Sequence, residues 1–386
     1  MSPARFRSRH LDGLAQSDIR RMTQECTRLG GLNLGQGICD LPTPGPVRDA
    51  AAAAIAAGES IYSPMHGRPE LRAALADKLA RHNGLTYDPD TEIVVTPGSS
   101  GAFSCVLHGL LQPGDGIVLF EPYYGYHRNA AQAAGLVPSF VTLSPPDFAV
   151  AEAAVRAAIT PTTRALVLCT PSNPCGKVWT RAELELIAAI AAEADLLVLT
   201  DEVYEYIVFD GREHISPATI PGLRERTVTI TSLSKTFSIT GWRIGMAAAP
   251  PDLAQSLMLV NDLQVVCAAT PLQLGAAAGL AMDDDYFAGL TRQFTVLRDL
   301  LCDALTDVDL PPIVPQGAYY VLADVSRLGK ATGREAAMHI LEETGVASVS
   351  GACFYRGPIG EQYVRFCFAK EEPVLREACA RLRTLS

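Results

Sequence analysis

The feature that most constrains this chain is a regular alternation, through its middle, of short apolar runs with helix-period segments. The runs Glu92–Thr96, Gly116–Phe120, Arg164–Thr170, Leu196–Asp201, Thr227–Ser232 and Arg243–Ala248 have the length of strands. Stretches such as Arg181–Ala194 separate them, with Leu184, Ile187, Ala188 and Ala191 on one helical face. Buried strands that alternate with helices predict an α/β fold whose mostly parallel sheet is covered on both sides. The pattern places this large domain at residues 46–283. After Asp283-Asp284-Asp285 the pattern changes to a long helix over Tyr286–Leu305 and a strand over Ala318–Val325. A helix around Glu335–Glu343, a strand over Tyr363–Ala369 and a last helix to Leu382 follow. This predicts a smaller α+β domain at 284–386, joined by the N-terminal segment 1–45.

Composition narrows the partners. Hydrophobic residues are 48% and charged residues 19% of the 386, which fits a large buried core and not disorder. A formal charge of −10 gives no electrostatic case for nucleic acid or an anionic membrane. No apolar run approaches the length of a bilayer span. The stretch Met1–Gly13 is basic but has no apolar segment behind it, so no secretory signal is expected. The ten cysteines are scattered with no CxxC pair, and Cys105 and Cys169 sit inside apolar runs. Reduced thiols and a cytoplasmic location are the expectation. No metal is implied.

The richest local stretch is Ser232-Leu233-Ser234-Lys235-Thr236, followed by Gly241-Trp242-Arg243-Ile244-Gly245. It begins where an apolar strand ends, which is where open α/β sheets place ligands. A lysine held there among hydroxyls and apolar groups can lose its proton and attack an aldehyde carbon. Arg243 and Ser232 offer donors for a dianionic phosphate. Alone, Lys235 reads better as a surface lysine in a Ser/Thr-rich loop; the glycines, Trp242 and Arg243 at fixed offsets around it favour the functional reading.

Asp201 closes the run Leu196–Leu199 as Thr200-Asp201-Glu202-Val203-Tyr204. A carboxylate at the end of a buried strand needs a partner, and a protonated pyridine nitrogen is one; a helix N-cap is the competing reading. Asn173, between Pro171 and Pro174, can donate to a ring oxygen and a substrate carboxylate, or simply mark an Asn-Pro turn. Thr96-Pro97-Gly98-Ser99-Ser100-Gly101 precedes a helix predicted over Phe103–Leu111, a place for a phosphate. Tyr124 offers a face for stacking on a ring or is a core tyrosine. Arg365 is a lone charge in the strand Tyr363–Phe368; it suits an α-carboxylate or a structural salt bridge.

In this order, these pieces resemble the class I aminotransferases of pyridoxal-phosphate fold type I. The similarity is greatest to the kynurenine and glutamine aminotransferase branch. Leu34-Gly35-Gln36-Gly37, Thr170–Val178, Thr200–Tyr204, Ser232–Gly245 and Tyr363–Phe368 carry the match, which runs from about Leu11 to the C-terminus. The resemblance implies pyridoxal 5'-phosphate as cofactor, an amino acid and a 2-oxo acid as substrates, and ping-pong transfer with Lys235 as Schiff base and proton shuttle. It implies that Asp201 holds the pyridine nitrogen while Tyr204 and Asn173 bond the ring oxygen. Ser99, Ser100, Gly101, Ser232 and Arg243 would surround the phosphate, with Tyr124 stacked on the ring. Gly37, Asn173 and Arg365 would receive the substrate carboxylate. Tyr62, at the position that reaches a neighbouring subunit's phosphate, implies a homodimer with shared active sites.

Departures from the branch fall at the substrate side chain. Ile19 and Val266 stand where relatives with aromatic substrates carry aromatic residues, and Asp18 beside that lid could favour a basic or polar side chain. Cys175 replaces a small residue in the Asn-Pro loop, read as neutral. A same-fold enzyme with another outcome, a β-lyase or an arginine-type oxidase or hydroxylase, needs the same lysine, aspartate and arginine. A DNA-binding regulator built on this fold is disfavoured by the net charge and by the early position of Gly35.

Overall fold

The structure is a computed structural model that describes residues 8–14 and 18–385. Of the stretch Met1–Gly13, residues 1–7 therefore lie outside the described residues. The strands are β1 (Leu32–Asn33), β2 (Ile93–Pro97), β3 (Gly116–Glu121), β4 (Val137–Thr142), β5 (Thr163–Cys169), β6 (Leu197–Asp201), β7 (Thr227–Ser232) and β8 (Ile244–Ala248). They are followed by β9 (Pro312–Ile313), β10 (Tyr320–Asp324), β11 (Val346–Ala347), β12 (Val349–Ser350) and β13 (Tyr363–Cys367).

Seven strands form one sheet in the order β2-β8-β7-β6-β5-β3-β4. The pairs among β3 to β7 are parallel, while β8 runs antiparallel to both β7 and β2. Successive side chains feed opposite faces: Leu166, Leu168 and Val198 enter one core, Ala165, Val167 and Leu199 the other. Two covered faces explain why these strands read as unbroken apolar runs. Burying each such Val or Leu contributes about 1.5–3 kcal/mol. The covering helix Arg181–Glu193 starts with a capping box, in which the Thr180 hydroxyl accepts from the Glu183 N–H and Glu183 accepts from the Thr180 N–H.

The direction of β8 decides the site. Six strands point their carboxyl ends at one edge, and β8, running backwards, presents its amino end there. Pro97, Cys169, Asp201, Ser232 and Arg243 thus meet at a single edge although they span more than a third of the chain.

A second, antiparallel sheet has the order β12-β13-β10-β9. The N-terminal segment joins it: β1 pairs in parallel with β11, Leu34 N–H donates to the Ala347 carbonyl (3.1 Å), and Cys367 N–H donates to the Leu34 carbonyl (2.7 Å). This stitching lays Gly35–Gly37 across the mouth of the large sheet.

Element limits differ from the sequence reading in two informative places. β4 went unread because Pro138 interrupts it and it is a half-exposed edge strand, the only sheet position that tolerates proline well. The helix predicted over Phe103–Leu111 spans Gly98–Gly109, so the Gly-Ser-Ser-Gly run forms its first turn and not the loop before it. Arg243 lies outside β8, in left-handed backbone (φ 57°).

Candidate active site

The Ser232 hydroxyl accepts from the Ser234 N–H (3.2 Å) and caps the four-residue helix Leu233–Thr236. The cap turns Lys235 toward the N-terminal segment, where its Nζ donates to the Gly37 carbonyl at 3.5 Å. The amine also lies 5.9 and 5.5 Å from the ring centres of Tyr204 and Tyr319. Burial holds the Lys235 pKa below the ordinary lysine value, with Asp201 among the groups opposing that fall.

Asp201 is the last residue of β6 and is buried. Its Oδ2 is 2.9 Å from His127 Nε2, while its Oδ1 has no hydrogen-bond partner. A buried oxygen left bare costs about 1–3 kcal/mol, more when charged, so it faces a donor that the chain itself does not supply. Tyr124 stands edge-on to the His127 ring, with centroids 5.2 Å apart. The Tyr204 and Tyr320 hydroxyls are 3.0 Å apart, and burial pushes both phenols up.

At the opposite end, helix Gly98–Gly109 begins with no side-chain cap, which leaves its first N–H groups open to an anion. Arg243 reaches over that turn: Nη2 donates to Ser100 Oγ (3.0 Å) and Nη1 to the Thr240 carbonyl (3.0 Å). Two glycines make the approach possible. A Cβ on Gly98 would collide with the Arg243 guanidinium, and one on Gly245 would lie 2.6 Å from the Ser99 nitrogen.

Arg365, 1% exposed on β13, donates from Nη1 to Asn173 Oδ1 (2.8 Å) and from Nη2 to the Gly35 carbonyl (2.7 Å). Its Nε has no partner, and no carboxylate pairs with it among the described residues. The guanidinium lies 4.3 Å from the Tyr320 ring centre. Taking Asn173 Oδ1 leaves the Asn173 Nδ2 as that side chain's donor. A Cβ at position 37 would strike the Tyr320 hydroxyl, so glycine keeps this wall open.

One cavity of about 390 Å³ unites these groups. Ile19, Gly37, Ser99, Ser100, Tyr124, Asn173, Asp201, Tyr204, Ser232, Lys235, Arg243 and Arg365 line it. Gly101 does not; it packs toward Pro97, where a Cβ would meet Cδ at 2.9 Å. Tyr62 is 79% exposed on this single chain and lies outside the cavity, and Val266, at a helix end, does not line it either. Asp18 is not a free carboxylate: Arg334 binds it at 2.6 Å.

The sequence reading missed His127, Ser234, Tyr319 and Tyr320. His127 lies one turn after Tyr124 on a helix, a spacing that places both on one face. The tyrosine pair opening β10 carried no such signal. The residues fit the coenzyme that the resemblance implies. The bare Asp201 oxygen suits a ring N–H, the uncapped helix start with Arg243 suits a phosphate, and the Lys235 amine, its pKa lowered, suits an aldehyde.

Glu202, Glu205 and His214 also bring ligand-type atoms within 4.8 Å of one another. Their oxygens are already engaged, by His214 Nε2 at 2.7 Å on Glu202 and by Lys78 Nζ at 2.5 Å on Glu205. An ammonium in that position disfavours a cation.

A family model described as aminotransferase class I and II matches residues 30–382. The chain is 36% identical over 383 residues to a probable N-succinyldiaminopimelate aminotransferase of Mycobacterium tuberculosis, covering 96% of each chain. It is 33% identical to kynurenine–oxoglutarate transaminase 3 of Rattus norvegicus, covering 98% of this chain and 90% of that one. The solved structure of the N-succinyldiaminopimelate aminotransferase from Mycobacterium tuberculosis superposes with a TM-score of 0.95 at 36% identity. That match covers 98% of this chain and 100% of the other.

Proposed function

Since the chain belongs to the class I and II aminotransferases, pyridoxal-phosphate-dependent enzymes of fold type I that move an amino group between an amino acid and a 2-oxo acid, we propose that Lys235 is its Schiff-base lysine and proton shuttle. The observation that carries this reading is the partnerless Asp201 Oδ1, which lines the same cavity as the half-buried Lys235.

When bound, the coenzyme supplies an electron sink that acidifies the Cα–H of the amino acid. Asp201, steadied by His127, keeps a proton on the ring nitrogen. Tyr204 and Asn173 Nδ2 hold the ring oxygen, and Tyr124 covers the ring face. Ser99, Ser100, Ser232 and Arg243, with the first N–H groups of helix Gly98–Gly109 up to Gly101, hold the phosphate. Arg365 and Gly37 receive the α-carboxylate, with Ile19 closing over the side chain. Lys235, its pKa lowered by burial, is the group that would take the Cα proton and hand it on within the same site. Amino acid and oxo acid use the site in turn, which gives ping-pong kinetics.

We assign residues 46–283 to the coenzyme domain and 284–386, joined by 1–45, to the smaller one. Ile61, Tyr62 and Leu263 are 78%, 79% and 77% exposed, and we assign this apolar face to a second copy in a homodimer whose Tyr62 completes the neighbouring phosphate site. Ten cysteines without a disulfide among the described residues support a reducing, cytoplasmic setting. No helix among the described residues is long and apolar enough to cross a membrane.

A single amino acid, mixed with the holoenzyme without an oxo acid, should convert the coenzyme once per site to pyridoxamine phosphate. Continued turnover would overturn the reading in favour of elimination or oxidation. Lys235→Ala should lose both the coloured Schiff base and steady-state activity.

A further inference from the structure

The cavity that holds Lys235 opens, past Ile19, Arg20, Tyr124 and Tyr126, onto a second cavity of about 800 Å³. The charge of this outer cavity is one-sided. Its wall carries four arginines, Arg20, Arg128, Arg334 and Arg356, against a single carboxylate, Asp18. Two of the four are already answered. Arg334 binds Asp18 at 2.6 Å, and Arg356 binds Glu121 at 3.2 Å while lying 3.8 Å over the Phe140 ring.

Arg20 and Arg128 remain. Neither pairs with a carboxylate among the described residues; Arg128 hydrogen-bonds the phenol of Tyr123. Arg20 lines both cavities. In a chain whose formal charge is −10, an uncompensated pair of guanidinium groups at the mouth of a site is a local exception that a ligand anion relieves.

Resting on the transamination reading, we propose that the substrate is an amino acid, or its oxo acid, with a side chain longer than that of glutamate and ending in a carboxylate gripped by Arg20 and Arg128. The length follows from the layout. Arg365 serves the α-carboxylate at the inner end and Arg128 lines only the outer cavity, so a second carboxylate must pass Ile19 and Tyr126 to lie between Arg20 and Arg128. The charge follows from the donors, because a guanidinium fork matches a carboxylate with two parallel hydrogen bonds. A basic side chain, which Asp18 suggested from sequence, meets repulsion here, since Arg334 neutralises that aspartate.

The test uses the holoenzyme and unreactive acids of graded length. Pimelate should bind about tenfold or more tighter than hexanoate, the worth of one charge-assisted hydrogen-bonded contact, whereas glutarate should gain much less. In R20Q/R128Q the pimelate-to-hexanoate ratio should collapse to below about threefold, with L-2-aminopimelate losing the same advantage over L-norleucine in the half-reaction. Equal binding of pimelate and hexanoate by the unaltered protein overturns the proposal, as does a pimelate advantage that survives in R20Q/R128Q or a preference for L-ornithine. The two readings fail separately. If no amino acid yields pyridoxamine phosphate, transamination itself is wrong; if L-norleucine matches L-2-aminopimelate, only the distal-carboxylate assignment falls.

Discussion

Two buried clusters of charge sit within five residues of each other at the end of β6, and they are built on opposite principles. Around Glu205 both carboxylate oxygens and the ammonium beside them have partners, although His214 Nδ1 nearby has none. Its oxygens accept from Thr231 Oγ1 (2.9 Å), Asn83 Nδ2 (2.8 Å) and Lys78 Nζ (2.5 Å), and the Lys78 amine also donates to Asn83 Oδ1 (2.8 Å). Around Asp201 the answers stop short. Asp201 Oδ1 and Arg365 Nε have no partner, and Lys235 has only a long hydrogen bond of 3.5 Å. The closed cluster braces the turn that carries Tyr204; the open one leaves its donors and acceptors for a ligand. Saturation of the carboxylate, not charge or burial, separates these two clusters.

This contrast can be broken in four ways. The largest effect should come from Lys78→Met, which leaves Glu205 buried without its ammonium and should cost about 3–5 kcal/mol in chemical denaturation. Pairing it with Glu205→Leu should restore most of that loss, because the uncompensated charge goes too. If either variant abolished turnover per folded molecule, the cluster would belong to the site.

Asp201→Ala should act in the reverse sense. Its kcat should fall on the order of 10²–10³-fold while the unfolding midpoint of the apo-protein stays level or rises, since a bare buried oxygen is removed. A large loss of apo-protein stability would show that the carboxylate is structural.

His127→Phe sharpens the division further. It removes one charge-assisted hydrogen bond, worth about 1.5–3 kcal/mol, from Asp201. Turnover should fall about tenfold or more, and the spectroscopic pH titration of the bound coenzyme should shift, which a purely packing role would not produce.

The smallest effect concerns acid. Burial alone would raise the Glu205 pKa, but Lys78, with His82 and His214, overcomes it and holds the carboxyl at about 2 against an ordinary 4.5. A depressed carboxylate stabilises the fold above its unfolded pKa, and that contribution drains away as pH falls from 4.5 toward 2. The Lys78→Met/Glu205→Leu protein should show a flatter acid limb of unfolding midpoint against pH over that window. An unchanged limb would mean that other carboxylates govern acid stability.

Much of the site was legible because its parts are local. Lys235 follows a strand end within a run of hydroxyls and glycines, Asp201 ends an apolar run, and Arg365 breaks one. A charge interrupting an apolar pattern is visible in one dimension. What escaped were partners brought from afar. His127 meets Asp201 across 74 residues, Tyr320 meets Tyr204 across 116, and Asp18 meets Arg334 across 316. In the last case the pairing was invisible because an unpaired aspartate and a neutralised one look alike in sequence. β4 was hidden for a different reason. Edge strands bury one face weakly, so their hydrophobic signal is faint.

By itself, the sequence determined the class of fold and singled out the candidate reacting groups, since strand–helix alternation and the residue at a strand's end are properties of neighbouring positions. Only the tertiary structure decided which buried polar atoms were satisfied and which were left open. Hydrogen bonds close over a few ångströms of space, and the chain distance between two atoms that share one can be almost the whole molecule.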